Sequence, residues 1–371
     1  MQFVTAEKIL IDGKLRTGQA IASEDGEIEL VLSLDDLPAG AVLKDHGNTI
    51  IAPGFFDLQV NGGGGVLLND EPNLSGIKSV ATAHRNLGTT SLLPTLITDT
   101  WEKMERMADA ISEAIEQKIA GVKGVHFEGP YLCTEKKGVH NANYIREEEE
   151  KFLELISTRE LGAVLVTLAP EMVSKNFIKA LVQVGAIVSA GHSNATYEET
   201  KTGLEAGITG FTHLFNAMPP MLSRNPGVIG AALEDASSYC GIIVDGHHVH
   251  PATLKTAIAA KSHQKMMLVS DAMPPVGGSA KSFYLNDQMI SVEGGRCLTE
   301  KGTLAGACIS MGEAVENCVS MLDLDLHDAL SMASQTPAAF MKLNSKIGSI
   351  QKNGIADLVL LTPEGKFIKV L

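Results

Sequence analysis

The stretch AIVSAGHSNATYEETKTGLEAGITGFTHLFNAM, residues 186–218, decides the fold. It contains two short apolar runs that end at His192 and His213, and a segment typical of a helix, residues 196–207, lies between them. Two apolar runs joined by a helix predict a βαβ unit, in which the strands are parallel and buried on both faces. The two histidines are then expected at the same end of one sheet.

The same alternation extends over most of the chain. Eight short apolar runs close with polar or histidine-containing turns, and helix-like segments separate several of them. The runs are IIAPGFFDLQV (50–60), TTSLLPTLIT (89–98), VKGVHFEGP (122–130), AVLVTLAP (163–170), AIVSAGHS (186–193), ITGFTHLFNAM (208–218), CGIIVDGHHVH (240–250) and MMLVSDAMPP (266–275). Eight strands in this arrangement predict an α/β fold, a (β/α)8 TIM-like barrel. A hairpin insertion over residues 281–306 and two helices, 311–322 and 326–343, are expected after the eighth run.

The two ends of the chain differ from the middle. Residues 1–50 and 346–371 contain short β-type runs separated by glycine turns, without a helical period. Neither segment is long enough to bury much surface alone. We therefore expect them to pair into one small β-sandwich domain, next to a barrel domain of residues 51–345.

Composition excludes several classes of partner. The chain has 371 residues and a net charge of −14, which argues against nucleic acid or an anionic membrane as the main partner. Five cysteines are widely spaced and none forms a C-x-x-C pair, which indicates reduced thiols. We find no signal-peptide pattern and no apolar stretch of membrane-spanning length. A cytoplasmic protein that acts on a small molecule is the expectation.

Ionisable side chains collect at the carboxyl ends of the predicted strands, where barrel enzymes have their active sites. Glu128 ends the third run, His192 the fifth, His213 the sixth and Asp271 the eighth. One carboxylate and two imidazoles are suitable ligands for a catalytic divalent metal, which keeps a further position open for water. We assign Glu128, His192 and His213 to the metal, and Asp271 to general base and then general acid catalysis.

Longer motifs carry a resemblance to a known family. They run in order over most of the chain and are PGFFDLQVNGGGG (53–65), GVHFEGPYL (124–132), KGVHNAN (137–143), SAGHSNAT (189–196), THLFNAMPPMLSRNPG (212–227), DGHHVHP (245–251) and GSIQKNGIADLVLL (348–361). With these motifs the chain resembles the amidohydrolase superfamily and, within it, the family of N-acetylglucosamine-6-phosphate deacetylases. The resemblance implies one divalent metal per subunit, zinc or else iron, on Glu128, His192 and His213, with Asp271 as the proton shuttle.

The resemblance also implies roles in substrate binding. His140 corresponds to the histidine that binds the sugar and helps to polarise the acetyl carbonyl, and the backbone amides of Asn216 and Ala217 to the pair that meets the phosphate. His248 and Arg224 correspond to the phosphate-binding histidine and arginine, and that arginine implies a homodimer or higher homo-oligomer because it reaches across an interface. His247 and His250 match no site position.

The glycine-rich stretch NGGGG, residues 61–65, follows the first run directly. It lacks the G-K-[ST] ending of a phosphate-binding P-loop, and we expect its glycines to permit close approach to the site. Many members of the superfamily carry two metal-binding histidines where this chain has Gln59, just before the stretch, and Asn61, its first residue. Neutral amide oxygens are poor ligands beside imidazole. Gln59 and Asn61 are therefore interpreted as the remnant of a second metal site, able to hydrogen-bond a water near a single metal.

The expected reaction is deacetylation of N-acetylglucosamine 6-phosphate to glucosamine 6-phosphate and acetate by metal-activated water. Three alternatives stay open at this point. The substrate can be the galacto epimer, since the motifs do not specify the orientation of one hydroxyl. The barrel can bind phosphosugars without catalysis, which the intact set with Asp271 disfavours. Hydrolysis of a cyclic amide is disfavoured by the missing histidine pair and by the absence of a lysine at the end of the fourth run.

Overall fold

The computed structural model describes all 371 residues. The strands are β1 (Gln2–Thr5), β2 (Lys8–Ile11), β3 (Lys14–Arg16), β4 (Gln19–Glu24), β5 (Glu27–Ser33), β6 (Leu43–Asp45), β7 (Ile50–Pro53), β8 (Phe55–Val60), β9 (Gly62–Gly63), β10 (Val66–Leu67), β11 (Thr89–Ile97), β12 (Gly124–Glu128), β13 (Ala163–Leu168), β14 (Ile187–Ala190), β15 (Ile208–Phe211), β16 (Tyr239–Ile242), β17 (Met266–Leu268), β18 (Ser282–Leu285), β19 (Gln288–Glu293), β20 (Arg296–Thr299), β21 (Leu304–Ala307), β22 (Leu358–Leu361) and β23 (Phe367–Val370). The helices are α1 (Leu74–Arg85), α2 (Trp101–Glu116), α3 (Glu150–Ser157), α4 (Lys175–Gln183), α5 (Tyr197–Ala206), α6 (Gly227–Glu234), α7 (Pro251–Lys261), α8 (Met311–Leu322), α9 (Leu326–Ala333) and α10 (Gln335–Phe340). None of these helices combines the length and the apolarity that a membrane span requires.

Eight parallel strands confirm the predicted barrel. Their order is β8, β11, β12, β13, β14, β15, β16 and β17, so that each strand pairs with the next one along the chain. The barrel closes where Val60, the last residue of β8, forms a parallel bridge to Ala272 in the segment after β17. Next to this bridge, the Ser270 amide and hydroxyl both donate to the buried carboxylate of Asp57. The sheet therefore closes, and the carboxyl ends of its strands surround one opening.

The strands of both chain termini lie outside the barrel. One sheet has the order β5, β4, β1, β6, and the other has the order β23, β22, β7, β2, β3, in which β22 pairs antiparallel with β7. Isoleucines and leucines of both sheets share one buried cluster that includes Ile9, Ile21 and Leu358. This is the small sandwich expected from the sequence. The division of the chain at residues 50 and 346 into separate folding units stays a prediction.

Two segments near the end of the barrel are more broken than the sequence predicts. Residues 281–306, expected as a hairpin, belong to a four-stranded antiparallel sheet of β18 to β21. The single helix expected over residues 326–343 is two helices, α9 and α10, that meet at Ser334. The ring of Pro337 would clash with the carbonyl of Ala333 in a continuous helix, which accounts for the break.

The glycines after β8 pack against the protein and not against the site, which corrects the interpretation given above. A Cβ on Gly63 would lie 2.8 Å from the imidazole of His84, a buried residue of α1. A Cβ on Gly62 would lie 2.4 Å from the carbonyl oxygen of Val66. His84 Nε2 in turn donates to the carbonyl of Gly62 at 2.9 Å. These glycines thus permit close packing of the loop on α1.

Candidate active site

The three predicted metal ligands converge at the barrel opening. Glu128 is the last residue of β12, and His192 and His213 follow β14 and β15 by two residues each. Glu128 Oε1 lies 3.2 Å from His192 Nε2 and 3.0 Å from His213 Nε2, and the two Nε2 atoms are 3.0 Å apart. All three side chains are buried. Closure of the barrel explains this proximity: β14 and β15 are neighbours, β13 alone separates β12 from β14, and the carboxyl ends of all three strands face the same opening.

The three ligand atoms fit a divalent cation. Zinc bonds of about 2.0–2.1 Å in a tetrahedron separate neighbouring ligand atoms by about 3.3 Å, close to the separations observed here. Two imidazole nitrogens that face each other at 3.0 Å repel unless a proton or a cation lies between them. His192 Nδ1 donates to the carbonyl of Lys136 at 2.9 Å, which leaves the Nε2 lone pair free to bind a metal.

His140 lies beside this set. Glu128, His140 and His192 also have ligand atoms within 4.8 Å of one another, but His140 Nε2 is 3.9 Å from the second oxygen, Glu128 Oε2. The set of Glu128, His192 and His213 is tighter and is therefore the better fit for a metal. The His140 ring is fixed by the Thr98 hydroxyl, 2.9 Å from Nδ1. Nothing in the sequence around Thr98 marks it as the partner of a residue 42 positions away.

Gln59 and Asn61 hold the predicted proton shuttle. Asn61 Nδ2 donates to Asp271 Oδ1 at 2.7 Å, and Gln59 Nε2 donates both to the same oxygen and to Glu128 Oε1, each at 3.0 Å. Two amides that converge on Oδ1 leave Oδ2 of Asp271 to exchange a proton. Gln59 and Asn61, which were interpreted as the remnant of a second metal site, therefore hydrogen-bond directly to the site carboxylates.

The electrostatics suit the two carboxylates to different roles. Burial, and next the neighbouring Glu128 carboxylate, raise the pKa of Asp271 to about 6. Burial alone would also raise the pKa of Glu128, but the His192 and His213 imidazoles beside it hold that pKa well below the usual range. An ionised Glu128 fits the predicted role of metal ligand, and a pKa of about 6 fits Asp271 for the predicted role of general base and acid.

The backbone at these positions is unusual. His192, His213 and Asp271 have φ values of 49°, 32° and 49°. Side chains other than glycine rarely adopt this left-handed region, and such strain clusters at functional sites. The loop after β15 continues with Phe215 at 80° and Ala217 at 51°. From His213 to Ala217, residues with positive φ alternate with residues that have negative φ. This alternation turns successive N–H groups towards one concave side, a shape that binds anions.

Most of the predicted phosphate-binding residues line the same cavity as Glu128, His192 and His213. This cavity of about 370 Å³ is lined by Glu128, His140, His192, His213, Asn216, Ala217, His248 and Asp271, among others, and its volume lies in the usual range for small-molecule sites. The Ala217 N–H donates to no group of the protein, whereas the Asn216 N–H donates to the carbonyl of His213 at 2.9 Å. Ala217 is therefore the freer donor of the pair.

Arg224 does not belong to this cavity within one subunit. It is exposed, in a segment where Met221 and Leu222 are each 55% exposed. Next to it lies an apolar groove of about 600 Å³ that Phe215, Met218 and Met221 help to line. Of the histidines without a predicted role, His247 is exposed and His250 accepts a hydrogen bond from Ala252 N–H at the start of α7.

Comparison with known proteins is consistent with this geometry. The model of the amidohydrolase family matches residues 50–371. An N-acetylgalactosamine-6-phosphate deacetylase of Shewanella sp. is 40% identical over 100% of this chain and 94% of its own length. An N-acetylglucosamine-6-phosphate deacetylase of Haemophilus influenzae is 36% identical over 93% of this chain and 91% of its own. The crystal structure of N-acetylglucosamine-6-phosphate deacetylase from Pasteurella multocida, 34% identical, superimposes with a TM-score of 0.95 and covers 100% of this chain and 97% of that one.

Proposed function

The chain belongs to the amidohydrolase family, and we propose that it is a hydrolase that deacetylates N-acetylglucosamine 6-phosphate to glucosamine 6-phosphate and acetate. The observation that carries the proposal is the convergence of Glu128, His192, His213 and Asp271 at one cavity. Relatives that cover nearly the whole chain are named deacetylases of N-acetylhexosamine 6-phosphates. The family uses a divalent metal, and we propose one ion per subunit, zinc or else iron, on Glu128, His192 and His213.

Such an ion, when bound, supplies an activated water and positive charge for the developing oxyanion. The residues of the chain perform the proton transfers. Asp271 Oδ2 takes the proton of the attacking water while Oδ1 stays bonded to Gln59 and Asn61. It then delivers that proton to the departing nitrogen, which leaves as the amine.

His140 is the donor proposed for the acetyl oxygen. Donation from Nε2 requires the tautomer with its proton on Nε2. That tautomer forms when the Thr98 hydroxyl turns its proton from the Glu128 carbonyl oxygen, 3.2 Å away, to His140 Nδ1 at 2.9 Å. Burial lowers the pKa of His140 well below its usual range. His140 therefore acts as a neutral hydrogen-bond donor to the carbonyl oxygen.

The phosphate of the substrate is proposed to lie against His248, the Ala217 amide and, by a shared bond, the Asn216 amide. Arg224 reaches it from the other subunit of a homodimer. The exposed Met221 and Leu222 and the apolar groove beside them support this, because contiguous exposed apolar surface commonly marks a protein–protein contact. A cytoplasmic location, suggested by five free cysteines, belongs to the same proposal.

The galacto epimer is the second candidate substrate. The relative at 40% identity over the whole chain is named for N-acetylgalactosamine 6-phosphate. Acetate release from N-acetylglucosamine 6-phosphate, its galacto epimer and unphosphorylated N-acetylglucosamine, measured side by side on zinc-supplemented protein, tests the proposal. Fast acetate release from the first substrate alone supports the proposal. Faster release from the epimer would change the assigned substrate to N-acetylgalactosamine 6-phosphate and leave the proposed reaction unchanged. No release from any of the three refutes it.

A further inference from the structure

Behind His248 lies a carboxylate that the proposed mechanism does not use. Asp245, in the loop after β16, is buried with a side-chain exposure of 5%. Its Oδ1 accepts the backbone N–H of His247 at 2.8 Å and of His248 at 2.9 Å. Its Oδ2 lies 2.6 Å from His248 Nδ1. One side chain thus shapes the loop and contacts the imidazole that the loop presents to the cavity.

The contact determines which nitrogen of His248 faces the ligand. Burial by itself would raise the pKa of Asp245, but the hydrogen bond and charge of His248 lower it to about 2. An ionised carboxylate only accepts hydrogen bonds, so His248 Nδ1 carries a proton. Nε2 is then the nitrogen available to the cavity that His248 lines together with Ala217.

A phosphate oxygen is also an acceptor, so it needs a proton on Nε2. With Asp245 on one side of the ring and a phosphate on the other, both nitrogens must carry protons, and the ring is an imidazolium between two anions. Such charge-assisted bonds are shorter and roughly twice as strong as neutral ones. With Asp245 behind the ring, a phosphate stabilises the second imidazole proton and receives a charge-assisted hydrogen bond. A neutral hydroxyl does not stabilise that proton in the same way.

We propose that Asp245 is a positioning residue for phosphate recognition: it orients the ring of His248 and holds the proton on Nδ1, so that a phosphate monoester is bound through a charged Nε2–H. This inference deepens the proposed function and rests on it, since it assigns the phosphate of that substrate to His248. Nothing in the sequence beyond a separation of three residues points to the pair.

Replacement of Asp245 by asparagine separates this role from a structural one. An asparagine keeps an oxygen for the N–H groups of His247 and His248, so the loop retains its shape. Its amide turns a donor towards Nδ1, which places the single imidazole proton on Nε2 and leaves the ring neutral. The variant can still contact the phosphate, but through a neutral hydrogen bond. We expect the loss to be about tenfold in affinity for the phosphorylated ligand.

Calorimetry with glucosamine 6-phosphate and with glucosamine, on metal-loaded protein, provides the test. Asp245→Asn should weaken binding of glucosamine 6-phosphate about tenfold and leave glucosamine unchanged. In turnover, KM for N-acetylglucosamine 6-phosphate should rise while kcat stays close to that of wild type. His248→Gln should have a similar effect, and the double variant should be no worse than His248→Gln alone, because both changes remove one interaction.

Asp328→Asn is the matched control. Asp328 on α9 also contacts histidines, His263 and His327, each at 3.3 Å, but it does not line the cavity. It should alter neither affinity. Equal losses on both ligands, a fall in kcat with KM intact, or additive effects with His248→Gln would overturn the inference alone. A wild type that binds both ligands equally would overturn it together with the phosphate part of the proposed function.

Discussion

Replacing Asn61 by leucine removes one of the two amide donors on Asp271 Oδ1, the bond of 2.7 Å. Leucine has a similar shape and donates no hydrogen bond. A hydrogen bond to a charged group contributes about 1.5–3 kcal/mol, and it stabilises only the ionised carboxylate. At about 1.36 kcal/mol for each pKa unit, its loss should raise the pKa of Asp271 by roughly one to two units.

The sign of the effect on activity follows from the role of Asp271 as a base. The base must be ionised to accept a proton, so activity is present above its pKa and is lost as pH falls through it. Burial and the Glu128 carboxylate already raise this pKa to about 6. The acid limb of kcat/KM for acetate release, measured from about pH 5 to 9, should therefore move to higher pH by about one unit or more in Asn61→Leu.

Two measurements make the result decisive. Bound metal should be unchanged, because Asn61 is not among the three ligands, and the thermal midpoint should show a folded protein. Asn194→Leu, at an exposed asparagine in the loop after β14, is the matched control and should leave the acid limb in place. An acid limb that does not move in folded, metal-loaded Asn61→Leu would refute the reasoning, and a loss of metal would make Asn61 a ligand.

Three further predictions follow from the same contacts. Asp271→Asn should lower kcat by at least about 100-fold with bound metal intact; a rate near that of wild type would mean that the proton shuttle is wrongly assigned. Burial lowers the pKa of His84 to about 4 from 6.5, so its neutral form stabilises the fold fully above pH 6.5, and this contribution is lost as pH falls towards 4. Between pH 6.5 and 4, the free energy of unfolding measured with denaturant should fall by about 3 kcal/mol less in His84→Gln than in the wild type. An equal fall in both proteins would contradict this. Gly63→Ala should lower the free energy of unfolding by about 1–3 kcal/mol, because its Cβ would lie 2.8 Å from His84; unchanged stability would show that the loop can move away from α1.

The barrel and the four central residues were predictable from the sequence for a common reason. An apolar run that stops at an ionisable residue marks the carboxyl end of a buried strand, and closure of the barrel brings such ends together. This places Glu128, His192, His213 and Asp271 at one opening without knowledge of the helices. The structure confirms the barrel, and the three atoms predicted to bind the metal lie within 3.2 Å of one another.

What the sequence did not show depends on contacts between distant loops or within one turn. Thr98 fixes His140 from the segment that follows β11, and Asp245 reaches His248 through the shape of its own loop. The glycines of NGGGG were expected to permit close approach to the site, but glycine permits close approach of any group, and here the approaching group is His84. Gln59 and Asn61 were interpreted as a remnant because their residue types were compared with those of metal ligands. Their hydrogen bonds to Asp271 are apparent only from the geometry.

The measurement that tests the central claim most directly is a metal titration of chelator-stripped protein, with acetate release from N-acetylglucosamine 6-phosphate as the readout. A site built from Glu128, His192 and His213, with Gln59 and Asn61 bonded to Asp271, predicts that activity rises linearly and reaches its plateau at one zinc ion per subunit. A plateau only at two ions, or no recovery of activity with one ion bound, would contradict this account.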